Sequence, residues 1–322
     1  MEIIILSKEI VKPSTPTPPN LINHKLCRFD QLALDTCITP IFFYKNNNPL
    51  SEINRANIVD NRLKNSLSKT LTLFYPLASE LSSENSIFVD CNDNGVLYVD
   101  ARIKDVRLDE FLQNPDISLL INVLPQNASM SSKMNYVQNL ETLVSIQVTR
   151  FDCGGVVIGG VLFHKLLDGA AMSKFFNTWA KIARCDDDDG VEKITPLDFT
   201  SSSLLKIFLR MKALEGDDAL DSIVNMETQV GSLLPELDIY NFSSWCRFGL
   251  YDVDFGWGKP IFVAPFIDTI GSLNMQQIIL VKNGMNGGIE AWILGNNEEM
   301  LELDKDEEFL AYASPNPSVH AP

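Results

Sequence analysis

With 322 residues, 45% of them hydrophobic and 21% charged, the chain has a globular composition and the length for one large or two medium domains. A formal net charge of −16 repels phosphate backbones and anionic headgroups, and no basic stripe interleaved with aromatics offsets it, which excludes nucleic acid and membrane surfaces as partners. The start at Met1 lacks the basic and apolar regions of a signal peptide, and the longest apolar run, Gly154 to Phe163, is about half a bilayer span, so a soluble, cytoplasmic protein is expected.

Six cysteines lie far apart without a C-x-x-C pair, which reads as reduced thiols. The N-x-S sequons at Asn127 and Asn241 read as chance matches. The three histidines are too dispersed for a metal site, and no H-E-x-x-H occurs, so none is expected.

In chain order, the proline-rich stretch Lys12 to Pro19 cannot hold a helix and should run extended over the surface, with structure beginning after it. From Asp60, which is placed to cap, Leu63, Leu67, Leu71 and Phe74 recur at helical spacing until Pro76. Ile87 to Val89 and Val96 to Val99 flank Asn92-Asp93-Asn94-Gly95, the chemistry of a tight hairpin. A second hairpin is expected from Val144, Ile146 and Val148 through a turn at Asp152 to Gly155 into a buried strand, Val156 to Phe163. Met172, Phe175, Phe176, Trp179 and Ile182 then place a helix from about Asp168 to Arg184. The acidic run Asp186 to Asp189 belongs in a solvated loop, and Leu204 to Leu237 reads as two helices. Short strands are expected at Trp245 to Tyr251, Gln277 to Val281 and Gly288 to Leu294, with a frayed tail after Ala313.

Two constellations carry chemistry. His164 and Asp168 stand where the buried strand gives way to the helix, and a neutral-range imidazole there suits a general base for acyl transfer, contributing on the order of 10²–10⁴ in rate. By spacing alone a histidine at a strand end reads more often as structural than as catalytic, and Asp168 as a helix cap. The second run, Asp254-Phe255-Gly256-Trp257-Gly258, reads as a tight structural turn over a packed indole, not a kinase D-F-G, because no glycine-rich phosphate loop accompanies it. No G-x-S-x-G elbow supplies a nucleophile, which disfavours a serine hydrolase.

H-x-x-x-D-G followed by D-F-G-W-G resembles the paired signature of the plant BAHD acyltransferases. Leu63 to Ala78, the C-N-D-x-G stretch within Val89 to Arg102, and Gly288 to Trp292 also resemble family segments. The branch most similar includes vinorine synthase, salutaridinol acetyltransferase and acylsugar acyltransferases. The resemblance implies an α/β fold with mixed sheets, two chloramphenicol-acetyltransferase-like domains, and a channel bringing acyl-CoA and an alcohol acceptor to His164 from opposite faces. It implies that His164 is the base, that Asp168 holds the loop, and that Asp254 to Gly258 is structural. Ser243-Ser244-Trp245 matches the family's T-S-W, which makes Ser243 and Trp245 candidates for stabilising the oxyanion. Acyl-CoA is then a co-substrate with no bound cofactor, and a monomer is expected.

The chain departs from the family in its middle. Asp254 follows His164 by only 90 positions, and no N-x-R-x-R occurs after Pro196-Leu197-Asp198-Phe199. A stretch between about Phe199 and Leu204 is therefore read as missing, leaving Asp168 without the arginine strand that helps anchor it in relatives. The expected organisation is residues 1–200 as a domain carrying H-x-x-x-D and 201–322 as a shortened domain carrying D-F-G-W-G, with exposed sheet edges and apolar surface. The expected function is O-acylation of a plant specialised metabolite with an acetyl or short-chain group. The alternative is a catalytically impaired, shortened member (a splice form, pseudogene product or gene-model error) that at most binds a ligand or partner.

Overall fold

The structure, a computed structural model, describes residues 2–26, 30, 36–45, 53–81, 88–113, 117–125, 142–184, 239–266, 275–284, 287–317 and 319. Its strands are β1 (Glu2–Val11), β2 (Asn23–Lys25), β3 (Cys37–Ile38), β4 (Pro40–Tyr44), β5 (Glu80–Leu81), β6 (Phe88–Asp90), β7 (Val96–Lys104), β8 (Val144–Phe151), β9 (Val156–Phe163), β10 (Ile239–Ser244), β11 (Phe262–Pro265), β12 (Met275–Lys282) and β13 (Ile289–Leu294). The longer helices are α1 (Ile53–Leu73), α2 (Leu108–Gln113), α3 (Gly169–Arg184) and α4 (Asn297–Leu303). Among the described residues these strands form a seven-stranded sheet, ordered β1-β7-β8-β9-β4-β11 with β3 also on β9, and two three-stranded sheets, β10-β12-β13 and β2-β6-β5.

The large sheet is mixed: β7 and β8 run parallel, and its other neighbours are antiparallel. Its central strands are buried on both faces, whereas the edge strand β1 is largely exposed. Along β4, Phe42 and Tyr44 join one core cluster while Ile41 and Phe43 join the other, as alternation across a pleat requires. On the first face lie α1 and α3, whose Leu63, Leu67, Leu71, Phe175, Phe176 and Trp179 are fully buried. Burying each such side chain stabilises the fold by about 1.5–3 kcal/mol. The Trp179 indole N–H is satisfied by Leu63 O and Ser66 Oγ, both at 3.1 Å.

The hairpin β8–β9, the helix α3 and the hairpin β12–β13 form as the sequence pattern predicts. Several expectations are corrected. Structure precedes the proline-rich arm, because β1 pairs along the edge of β7. Helix α1 begins at Ile53, so Asp60 is not its cap. Asp60 instead lies within the helix and takes bonds from Tyr98 Oη (2.8 Å), Arg150 Nη2 (3.2 Å) and Lys64 Nζ (2.8 Å), while Arg150 also pairs with Asp100. The turn at Asn92 to Gly95 forms, but β6 and β7 enter different sheets and do not make a hairpin. Residues 245–251 form a turn and a 3-10 turn after β10, not a strand. The tail is tied down at Val319, whose N–H bonds Leu112 O at 3.1 Å. The acidic run and the segment Leu204 to Leu237 lie outside the described residues.

Strand β11 follows residue 200 yet pairs with β4, so a division at that position separates the sequence but not the sheets. The β10-β12-β13 sheet buries Trp245, Ile279 and Val281 on one side. Its other face leaves Tyr240, Phe242 and Ile289 at 54%, 66% and 67% exposure, an apolar surface without cover among the described residues.

Candidate active site

The buried strand β9 ends at Phe163, whose N–H bonds Leu143 O at 2.9 Å. At the next residue the chain leaves the sheet. The His164 N–H is fixed by Thr36 O at 2.9 Å, the Leu166 N–H closes a turn onto Phe163 O at 3.1 Å, and the imidazole is exposed. A rigid backbone thus presents a freely accessible ring. Beside it, Cys37 pairs in register with Phe163, but burial pushes its thiol up to about 12, so it offers no thiolate nucleophile at neutral pH.

Four residues on, Asp168 caps α3: its Oδ1 accepts from Ala171 N–H at 2.7 Å and its carbonyl from Met172 N–H at 2.9 Å. Among the described residues no ion pair reaches its carboxylate, and no hydrogen bond joins His164 to Asp168, Ser243 or Trp245. The cap holds the loop between strand and helix. It does so through the helix N-terminus.

The glycine of H-x-x-x-D-G has a packing reason. A Cβ at Gly169 would overlap the Phe248 ring, which lies across the start of α3. Phe248 belongs to a turn that follows β10, closed by Phe248 N–H to Trp245 O at 3.2 Å. The turn is tied to α3 again by Ser173 Oγ to Phe248 O and by Asn177 Nδ2 to Gly249 O at 3.4 Å. Upstream, Ser243 is half-buried on β10 opposite Ile279, and Trp245 is buried with its backbone N–H on Leu280 O at 2.7 Å. The two oxyanion candidates are therefore joined mechanically to the helix that follows His164.

Asp254 to Gly258 is placed at the opposite end of α3. Arg184 Nη1 donates to Asp254 O at 2.7 Å, and the Asp254 carboxylate accepts from Gly256 N–H (2.7 Å) and Gly258 N–H (3.0 Å), both glycines at φ +96°. Phe255 is fully buried, its ring 4.7 Å from Trp179 and 6.0 Å from Tyr44, while Trp257 lies 5.6 Å from Tyr44. Arg62 Nη2 on Phe255 O and Tyr44 Oη on Val253 O complete the clamp on α1 and β4. Arg184 lies about 22 Å along the helix from Gly169 at 1.5 Å per residue, which sets this motif apart from His164.

A cavity of about 350 Å³ opens beside Trp245, lined also by Arg247, Leu250, Asp252, Lys259 and Lys282. Sequence reading missed it. Its signal, three cations gathered from residues 247 to 282 of an acidic chain, becomes visible only once β12 is laid beside β10. Among the described residues no group of histidines, cysteines and carboxylates is arranged to hold a metal, and no helix is long and apolar enough to cross a membrane.

The sequence model of the transferase family matches residues 1–210 and 210–310. Akuammiline synthase 2 of Alstonia scholaris is 28% identical, with 99% of this chain and 98% of that protein covered. That alignment runs over 453 residues, 131 more than the 322 here, so a substantial part of the relative has no counterpart in this chain. Stemmadenine O-acetyltransferase of Catharanthus roseus is 27% identical over 94% of this chain and 96% of its own. The crystal structure of vinorine synthase superposes with a TM-score of 0.73 at 24% identity, covering 99% of this chain and 100% of that one. F. sporotrichioides TRI101, complexed with coenzyme A and T-2, matches with a TM-score of 0.56 at 16% identity over 91% and 99%. The mixed α/β fold and the family match agree, and the chain belongs to the transferase family of BAHD acyltransferases.

Proposed function

We propose that the protein is a cytoplasmic, monomeric enzyme that moves an acetyl or other short acyl group from coenzyme A to a hydroxyl of a small specialised metabolite, with His164 as general base. The observation that carries this reading is the exposed imidazole at the end of β9, held by a backbone that the sheet and Thr36 fix on both sides. Family membership supports the reaction class, and the relatives named for O-acetyl transfer and the neighbour complexed with coenzyme A support the donor.

In this reaction an imidazole nitrogen of His164 takes the hydroxyl proton as the oxygen attacks the thioester carbonyl. The C–O bond forms, and the tetrahedral oxyanion is met by donors from Ser243 and Trp245. Collapse breaks the C–S bond, and the leaving thiolate takes the proton from the imidazolium. Asp168 keeps the loop in place through its cap.

The test is release of free coenzyme A from acetyl-CoA across an alcohol panel. The His164→Ala protein should fall by about 10²–10⁴ while keeping its thermal midpoint. Equal release by the two proteins would sink the assignment.

A second reading, a shortened family member without turnover, is favoured by the face of the β10-β12-β13 sheet that no described residue covers and by the 453-residue alignment. Sequencing the transcript between the codons for Phe199 and Leu204 tests it. A messenger that carries additional coding sequence there removes this reading.

A further inference from the structure

The cavity beside Trp245 has a charge opposite to the chain that contains it. Lys259 is taken up by Asp252, with Nζ 2.7 Å from Oδ1. Arg247 and Lys282 line the same cavity, and among the described residues neither makes an ion pair. The local balance is therefore positive in a chain of net charge −16. An unpaired cation on a strongly acidic protein has carboxylates available to it almost everywhere. Among the described residues neither of these two cations has a carboxylate partner, and around one concavity they make a local field that draws anions in.

The walls give this field a fixed geometry. Arg247 sits in the turn whose next residue, Phe248, fills the space over Gly169 and whose carbonyls are bonded by Ser173 and Asn177. Lys282 closes β12, paired with Ile289. Trp245 and Leu250, both buried, supply an apolar wall. A volume near 350 Å³ is at the lower end of small-molecule pockets and accommodates one ligand group, not a whole nucleotide cofactor.

We infer that this cavity is a subsite for an anionic oxygen group of a substrate, a phosphate or a carboxylate, gripped by Arg247 and Lys282. Arginine supplies a planar pair of donors for such a group and lysine a point charge. Two sources of that chemistry are open to an acyltransferase: the phosphates of coenzyme A, or a carboxylate on the acceptor. The choice between them rests on the proposed function, whereas binding of the anion does not.

The experiment measures binding directly, by calorimetry on the full-length protein and on Arg247→Gln and Lys282→Gln, at low and high salt. The probes are adenosine 3′,5′-bisphosphate and the matched pair 3-hydroxybenzoate and 3-hydroxybenzyl alcohol. If the donor's phosphates occupy the cavity, both variants bind the bisphosphate about fivefold or more weakly, and the difference shrinks at high salt. If the acceptor's carboxylate does, the variants lose 3-hydroxybenzoate by a similar factor and leave the bisphosphate and the neutral alcohol unchanged. Arg247→Lys, which keeps the charge but not the planar pair of donors, should recover only part of the affinity in either case. Failure of the unsubstituted protein to bind either anion, or variants within about twofold for both, overturns the inference. Because no turnover is required, its failure is separable from that of the His164 assignment.

Discussion

The large sheet and the β10-β12-β13 sheet contain similar residues and treat them differently. Every residue of β8 and β9 is buried, including Ser145, Gln147 and Thr149, which a half-exposed strand would turn to solvent. In the smaller sheet, Phe242 and Ile289 remain mostly exposed although their strands alternate just as regularly. The difference lies in what covers each face. The large sheet has α1 and α3 on one side and α2 with its neighbouring turns on the other, whereas no described element covers the outer face of the small one. Strand sequence sets which side chains share a face, and only partner elements decide whether that face is buried.

The largest effects should separate the two regions. Trp179→Ala is expected to cost about 3–5 kcal/mol in denaturant unfolding, since it opens a cavity between α1 and α3. Phe242→Ser should change stability by less than about 0.5 kcal/mol and reduce concentration-dependent association. A large loss at Phe242 would show that its face is covered. Next comes the ion network beneath α1. Arg150→Met leaves Asp60 and Asp100 facing each other without their shared guanidinium and should destabilise by about 3–5 kcal/mol. A neutral result there would mean that the two carboxyls are rescued by Lys64 and Tyr98 alone.

Smaller effects test how the regions are joined. Gly169→Ala should cost about 1–3 kcal/mol by displacing Phe248. In a Phe248→Ala background that cost should fall, a coupling of about 0.5–3 kcal/mol in a double-mutant cycle. Additive losses would disconnect the turn from α3. The smallest effect concerns Glu290 on β13, where burial raises the carboxyl above its ordinary value of 4.5 against the opposing bond from Asn283. Below that value the group is protonated in both folded and unfolded chains. As pH rises past it, the unfolded chain ionises first, so stability falls until the folded value is passed. Glu290→Gln should flatten this slope, and an unchanged pH profile of the thermal midpoint would contradict it.

Elements whose signals are local were legible in the sequence. The β8–β9 hairpin carries its own turn, α3 its own apolar stripe, and β12–β13 its own connection. The glycine of H-x-x-x-D-G was visible, but the reason for it was not, because Phe248 stands 79 positions away. The Asn92 to Gly95 turn misled for a related reason: turn chemistry fixes the reversal of the chain but not which sheet each arm joins. Asp60 looked like a cap because a carboxylate before a leucine repeat fits one, and its true partners, Tyr98 and Arg150, lie in distant strands. The placement of His164 and Asp168 at a strand end followed from the pattern of β9 and α3. The cationic cavity did not, since its walls come from a turn and from β12, and no window of sequence contains both.

Strand β11 bears on how the protein is made. The free edge of β4 is completed by residues 262–265, and Phe43 meets Phe262 there at a ring distance of 5.6 Å. A ribosome working at about 5–20 residues per second takes on the order of 10–45 s to travel the 218 positions from Tyr44 to Phe262. Until β9 is made neither side of the aromatic strand Pro40–Tyr44 has its partner, and from then until Phe262 the side later taken by β11 stays open, the kind of edge that recruits foreign strands or chaperones. A chain stopped short of residue 265 would keep that edge indefinitely. Translation speed and chaperone supply would then govern the yield of folded protein as much as the final stability does.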